Sequence, residues 1–211
     1  MKRKFFFRAA IFVIFTAVTI PEVFAQLTIS GGFALSGFVM KLDDESSSAA
    51  TGTGIGGNVY FDYLLPSDVP ISLGFEIGVD TAPFTNLMPS LVLYTDTVIA
   101  IPLLFRIACH FNLMPKLDLY VVGKIGVALS FWYGELYDYA KQYGDAEPPF
   151  GVGLGFDLGT AFYFSSHFGF FVEGGYDRYN LSTKFTDETN RSWDLDIPIS
   201  RGLTFGIIFR N

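Results

Sequence analysis

The sequence predicts an all-β protein, an eight-stranded antiparallel up-and-down β-barrel that spans a membrane. Three observations lead to this fold class. Half of the residues are hydrophobic, yet after residue 25 no uncharged stretch is long enough for a membrane-spanning helix. Apolar and small or polar residues alternate in eight segments of the chain. The connections between these segments are alternately long and short, which is typical of bacterial membrane barrels.

Residues 1–25 are predicted to be a cleaved secretory signal peptide, and residues 26–211 to be the barrel domain. The signal has a basic start and an apolar core at 9–20, which is too short to cross a bilayer as a helix. Its removal takes four of the 14 basic residues and one of the 21 acidic ones, leaving a net charge of about −10. This charge argues against a nucleic-acid partner.

The strands show the alternation of a sheet with two different faces. In the sixth segment Leu154 and Phe156 are apolar, whereas Gly155 and Asp157 are small or polar. Every segment is long enough to cross a membrane as a tilted strand, which takes about 9–11 residues. The predicted strands are 27–40, 53–63, 70–80, 96–111, 117–133, 151–164, 168–182 and 195–209.

The connections distinguish a barrel from a soluble β-sandwich, whose strands also alternate. The short connections are 64–69, 112–116 and 165–167, and the long ones are 41–52, 81–95, 134–149 and 183–194. Barrels in bacterial outer membranes place short turns on the periplasmic side and long loops outside, whereas a sandwich has no reason to keep this order. Aromatic residues on the apolar face would form girdles at both interfaces: Phe61, Tyr63, Phe111, Phe162, Phe164 and Phe168 at one end, and Phe131, Tyr133 and Tyr176 at the other.

These features resemble the small eight-stranded outer-membrane barrels, such as the OmpA transmembrane domain, OmpX and OmpW. The resemblance covers about residues 27–209 and rests on the architecture and on strands such as GVGLGFDLGTAFYF and the final RGLTFGIIF. It implies a bacterial outer-membrane location, with loops outside and the short turns and both termini in the periplasm. The implied partners are outer-membrane lipid, a lipopolysaccharide-type surface and the barrel assembly machinery.

Charged residues on inward positions cluster at one depth along the strands. Because an isolated buried charge is costly, we expect them to pair as a layer inside the lumen, although separate hydration in water-filled pockets is the alternative. The resemblance supports the layer, because the OmpA barrel has a comparable ion network. Tyr60 and Tyr120 would close the lumen beneath the layer, and Trp132 would lie near the outer mouth. The predicted layer consists of Glu76, Arg106, Lys124, Asp157 and Glu173.

The long loops are the expected sites for an extracellular ligand or a host surface. The loop at 81–95 is unusually apolar. It is predicted either to fold over the mouth or extend the flanking strands, or to act as a gate for apolar solutes. The candidate gate residues are Phe84, Leu87, Met88, Leu91, Leu93 and Tyr94.

No catalytic set, cofactor or metal site is expected. The resemblance admits lipid A deacylases, acyltransferases and surface proteases, which need an activated group near the outer face. Both histidines, His110 and His167, are placed at the other end, and Ser165-Ser166-His167 is interpreted as a polar turn. Two distant histidines and the lone Cys109 do not indicate a metal centre.

Three hypotheses about function are weighed: an outer-membrane enzyme, which the missing catalytic set argues against, and two non-enzymatic roles. The first is a non-enzymatic barrel that anchors exposed loops for envelope integrity or surface interaction, because an eight-stranded lumen is only wide enough for side chains. The alternative is a narrow or gated porin-like channel for small solutes, hydrophobic ones as the resemblance to OmpW suggests.

Overall fold

The computed structural model describes residues 27–42, 50–66, 70–87, 93–143, 147–186 and 192–211. The predicted signal peptide lies outside the described residues. The described ranges form eight strands and one helix. The elements are β1 (Leu27–Leu42), β2 (Ala50–Leu64), β3 (Ile71–Leu87), β4 (Leu93–Met114), β5 (Leu117–Gly134), α1 (Glu135–Tyr143), β6 (Phe150–Tyr163), β7 (Phe168–Thr186) and β8 (Ser192–Arg210).

The strands close into an antiparallel barrel in which each pairs with its neighbours along the chain. β1 also pairs with β8, for example Ile29 with Phe209, and this pairing joins the two ends of the sheet. Closure leaves no exposed sheet edge. The predicted fold class is therefore confirmed. No helix in the described ranges is long and apolar enough to cross a membrane.

The wall has an apolar outer face and a buried inner face. Phe33, Phe156 and Ile207 point outward with 58–70% of their surface exposed. Asp157, next to Phe156, points inward and is 5% exposed. The predicted alternation of the sixth strand is therefore confirmed. So broad an exposed apolar face fits a wall that meets lipid.

Several predicted loop boundaries are wrong because the strands continue past the alternating segments. β3 runs on to Leu87 and β4 starts at Leu93, so most of the predicted loop 81–95 belongs to a paired hairpin. Loops 41–52 and 183–194 are shortened in the same way. Apolar and polar residues need to alternate only where one face of the strand meets lipid. The backbone hydrogen bonds between two strands can continue into water without this alternation.

The predicted loop 134–149 contains a helix, α1, which the sequence analysis did not anticipate. Acidic Glu135 and Asp138 lie in its first turn and Lys141 in its last, which favours the helix dipole. Gly134 turns the chain from β5 into α1 with φ of 143°, a backbone conformation that favours glycine. The ring of Tyr137 then packs 5.4 Å from the ring of Trp132 inside the barrel mouth.

A register shift in β8 changes which residues face the lumen. Leu35 on β1 pairs with Leu203, but the next residue, Ser36, pairs with Arg201 and skips Gly202. Ile197, Ile199 and Arg201 therefore point inward above the shift, whereas Thr204 and Ile208 point inward below it. A bulge of this kind moves all residues beyond it to the other face.

Candidate functional site

The middle of the lumen contains a network of buried charges, built around two cations on adjacent strands. Arg106 on β4 and Lys124 on β5 are direct partners across the ladder, and each is less than 5% exposed. Both side chains point inward, because each residue is an even number of positions from the other buried residues of its strand. Neighbouring like charges are tolerated only where carboxylates compensate them.

Arg106 binds carboxylates from three other strands. Its guanidinium lies 2.7 Å from Glu173 on β7, 3.3 Å from Asp62 on β2 and 3.5 Å from Glu76 on β3. The ring of Tyr60 lies beneath it, with 3.8 Å between the guanidinium carbon and the ring centre. The guanidinium therefore links walls on opposite sides of the lumen.

Lys124 is the second centre of the network. Its ammonium nitrogen lies 2.5 Å from Asp157, 2.9 Å from Asp177, 3.2 Å from Glu76 and 3.4 Å from Glu173. The structure thus brings all five residues of the predicted charge layer into contact with one another, directly or through a shared partner.

Arg201 is a third cation that the sequence analysis missed. It contacts Glu76, lies 2.6 Å from Asp80 and approaches Asp177 to 3.8 Å. Extending the regular alternation of the last strand upward places Arg201 on the lipid face, and only the shift at Gly202 turns it inward. The sequence does indicate two of the partners of Arg201. Asp80 and Asp177 are an even number of residues from Glu76 and Glu173 on the same strands, so they are expected on the same inner face.

We call this set the charge network. In the described part of the chain it holds three cations and six carboxylates, so the middle of the lumen is acidic overall. Its members are Arg106, Lys124, Arg201, Asp62, Glu76, Asp80, Asp157, Glu173 and Asp177.

The three predicted lumen aromatics lie inside the barrel. Tyr60 and Tyr120 are on the short-turn side of the network, and the Tyr120 hydroxyl donates to Glu173 at 3.1 Å. Trp132 is 3% exposed at the opposite end, where its indole N–H donates to Asp96 at 2.6 Å. Asp96 also accepts a hydrogen bond from the backbone N–H of Tyr137, at 3.2 Å, which fixes the start of α1.

The lumen above the charge network is packed with apolar side chains. The segment at 147–149 is held against β5 and β7 at this end, because Thr183 donates to the Glu147 carbonyl at 2.5 Å and Ser130 donates to the Pro149 carbonyl. The packed cluster includes Phe38, Val98, Leu104, Trp132, Tyr179, Leu181, Ile197 and Ile199, with Tyr137 of α1 against it.

Of the candidate gate residues, the structure places four in strands. Phe84 and Leu87 belong to β3, and Leu93 and Tyr94 to β4, where Phe84 pairs with Asp96 and Leu87 with Leu93. Met88 and Leu91 lie outside the described residues. The paired backbone matches the expectation that this segment extends the flanking strands.

A cavity of about 70 Å³ lies on the short-turn side of the charge network. Within it, Ser72, His110 and Asp118 are joined by hydrogen bonds: Ser72 Oγ lies 2.8 Å from His110 Nε2, and Asp118 Oδ2 lies 2.8 Å from His110 Nδ1. The sequence analysis did not identify this hydrogen-bonded set. These residues come from three neighbouring strands, and no local spacing identifies them. His167 is exposed in the turn after β6, as expected.

Comparisons with known proteins support the barrel fold. No family model matches the chain, and no curated protein sequence matches it. OprG from Pseudomonas aeruginosa has a similar structure at TM-score 0.60 and 15% identity, covering 88% of this chain and 96% of OprG. OmpW of E. coli matches at TM-score 0.50 with 14% identity, and the E. coli outer membrane protease OmpT at 0.50 with 10%; each comparison covers 88% of this chain and 97% of the other. Taken with the closed antiparallel sheet, these likenesses show that the chain has the fold of the small outer-membrane β-barrels.

Proposed function

We propose that the protein is an integral outer-membrane barrel that anchors its long connections at the cell surface, for envelope integrity or surface interaction. The observation that carries this proposal is the filled lumen. The charge network links opposite walls, since Arg106 on β4 binds Glu173 on β7 and Arg201 on β8 binds Glu76 on β3. An interior built this way stiffens a scaffold and leaves little room for a solute.

The two ends of the barrel support a fixed orientation in the membrane. The β4–β5 and β6–β7 turns are short, whereas the opposite end carries α1 and hairpins that continue past the alternating segments. Barrels in the outer membrane keep short turns in the periplasm. We therefore infer that α1 and the connections at 43–49, 88–92, 135–149 and 187–191 lie outside, facing lipopolysaccharide and any extracellular ligand or host surface.

A narrow or gated channel is the second candidate function. The apolar character of the cluster above the charge network favours it, because Leu104, Leu181 and Ile199 would present a hydrophobic surface to a small apolar solute once a gate opened. The fold likeness to OprG and OmpW is compatible with either role.

Single-channel recording in planar bilayers distinguishes the two candidates. We expect the folded wild-type barrel to be silent, because the charge network and the apolar cluster block the lumen. A matched variant carries a Gly-Ser turn in place of residues 88–92. Steady unitary current in the wild type that the variant alters would contradict the anchor and favour the gated channel.

A further inference from the structure

The serine–histidine–aspartate set in the short-turn cavity has the hydrogen-bond order of a nucleophilic site. A carboxylate only accepts hydrogen bonds, so Asp118 requires the proton on Nδ1 of a neutral His110. The Nε2 lone pair then faces the hydroxyl of Ser72. In this order the imidazole can act as a general base toward Ser72 through Nε2, while the carboxylate of Asp118 orients the ring through Nδ1.

The set lines a cavity that solvent reaches. Ser72 and Asp118 are buried, at 3% and 8% exposure, whereas the His110 side chain is 19% exposed. The ring of His110 packs 5.5 Å from that of Tyr120, which fixes its orientation. The base is therefore held rigidly and still meets the cavity.

Two arginines line the same cavity, and they differ in their partners. Arg106 is bound by Asp62 and Glu173. Arg210 lies over the ring of Tyr163 at 4.1 Å and has no carboxylate partner among the described residues. Its N–H donors are available to a negative charge that develops in the cavity.

We propose that Ser72, His110 and Asp118 form an acyl-transfer site for small carboxylic esters at the short-turn mouth of the barrel. Ser72 is the nucleophile, His110 the general base and Asp118 a positioning residue, while Arg210 stabilises the oxyanion. The small cavity selects short acyl groups. This activity goes beyond the anchoring role and replaces the expectation that the barrel carries no catalytic set.

The reaction is a two-step ester hydrolysis. Ser72 Oγ bonds to the ester carbonyl carbon while its proton passes to His110 Nε2 and the carbonyl electron pair moves onto oxygen. Collapse of this intermediate breaks the bond to the alcohol, which leaves with the proton from Nε2. Water repeats the sequence on the acyl-Ser72, releasing a carboxylic acid and restoring the hydroxyl.

The test is covalent labelling of the full-length protein, folded in detergent micelles, by a small alkyl fluorophosphonate. We expect one phosphonyl adduct per chain, mapped to Ser72 by peptide mass and absent after heat denaturation. His110→Gln should slow labelling about 100-fold or more, the usual contribution of a general base. Ser36, which is buried in the lumen outside this cavity, is the matched control, and Ser36→Ala should label like the wild type.

The role of Asp118 is tested by the pH dependence of ester hydrolysis, which should not change if Asp118 only stabilises the fold. Asp118→Asn should keep the folded gel mobility of the barrel but lower the rate of p-nitrophenyl acetate hydrolysis and alter its pH profile, and Asp118→Glu should restore part of the rate. A folded wild-type barrel that takes no adduct, or that labels Ser36 as readily as Ser72, would overturn the proposal.

Discussion

Arg106 and Lys124 are direct cross-strand partners, and both lie within 3.4 Å of a single carboxylate, Glu173 on the far side of the lumen. Their mutual repulsion is compensated by groups that approach only when β7 faces β4 and β5. The charge network therefore forms when the barrel closes, and it favours the closed sheet over any open one.

Removing Arg106 should destabilise the barrel strongly. Arg106→Ala leaves Glu173 and Asp62 without their closest cation, and breaking a buried pair costs about 3–5 kcal/mol. Urea unfolding in liposomes measures the loss. Arg178→Ala is the control, because Arg178 is exposed on the outer surface and donates to the side chain of the exposed Asn180, away from the charge network. Equal midpoints for the two variants would mean that the charge network contributes no stability.

The outward register of β6 can be tested with one charge. Phe156→Arg puts a guanidinium on the lipid face, which costs about 2–4 kcal/mol near the bilayer midplane. Its folding yield in liposomes should fall well below that of Phe156→Leu. Matching yields would show that Phe156 does not face lipid.

Trp132 should hold α1 in place. Trp132→Phe removes the hydrogen bond to Asp96, and a bond to a charged group is worth about 1.5–3 kcal/mol. Trypsin should then cut faster after Lys141, which is exposed in α1. Tyr133→Phe, at the outward-facing neighbouring position, should leave the cleavage rate unchanged. Identical cleavage rates in both variants would show that the hydrogen bond between Trp132 and Asp96 does not hold α1 in place.

Gly202 should tolerate both a side chain and its own removal from the chain. A Cβ at this position meets no atom within 4 Å, so Gly202→Ala should fold normally. Deleting Gly202 removes the register shift but leaves Arg201 facing the lumen, because Leu203 then lies alone between the inward-facing Arg201 and Thr204. The deletion variant should therefore keep the heat-modifiable folded band on gels, and loss of that band would contradict the assignment of Gly202 as the extra residue of the bulge.

The proposed orientation in the outer membrane predicts which positions are labelled on intact cells. In a Cys109→Ser background, a cysteine at the exposed Glu135 of α1 should react with an impermeant thiol reagent on intact cells. A cysteine at Ser166, in the exposed turn between β6 and β7, should react only after the outer membrane is opened. The reverse pattern would place the short turns outside.

The sequence by itself determined the strand number and the faces of the regular strands. Lipid outside and packed side chains inside impose period two on each membrane-crossing segment, so Phe156 and Asp157 could be assigned to opposite faces without a structure. The same parity brought out the five residues of the predicted charge layer.

Tertiary structure decided the features that depend on register or on distance across the lumen. Gly202 is skipped in the pairing with β1, and this one-residue shift turns Arg201 toward the lumen. The regular alternation of the residues after Gly202 gives no sign of such a bulge. Ser72, His110 and Asp118 meet because β3, β4 and β5 align their ends, and α1 is stabilised by contacts with Trp132 and Asp96. Periodicity reports which face a residue occupies, whereas closure and stagger of the sheet determine which residues meet inside it.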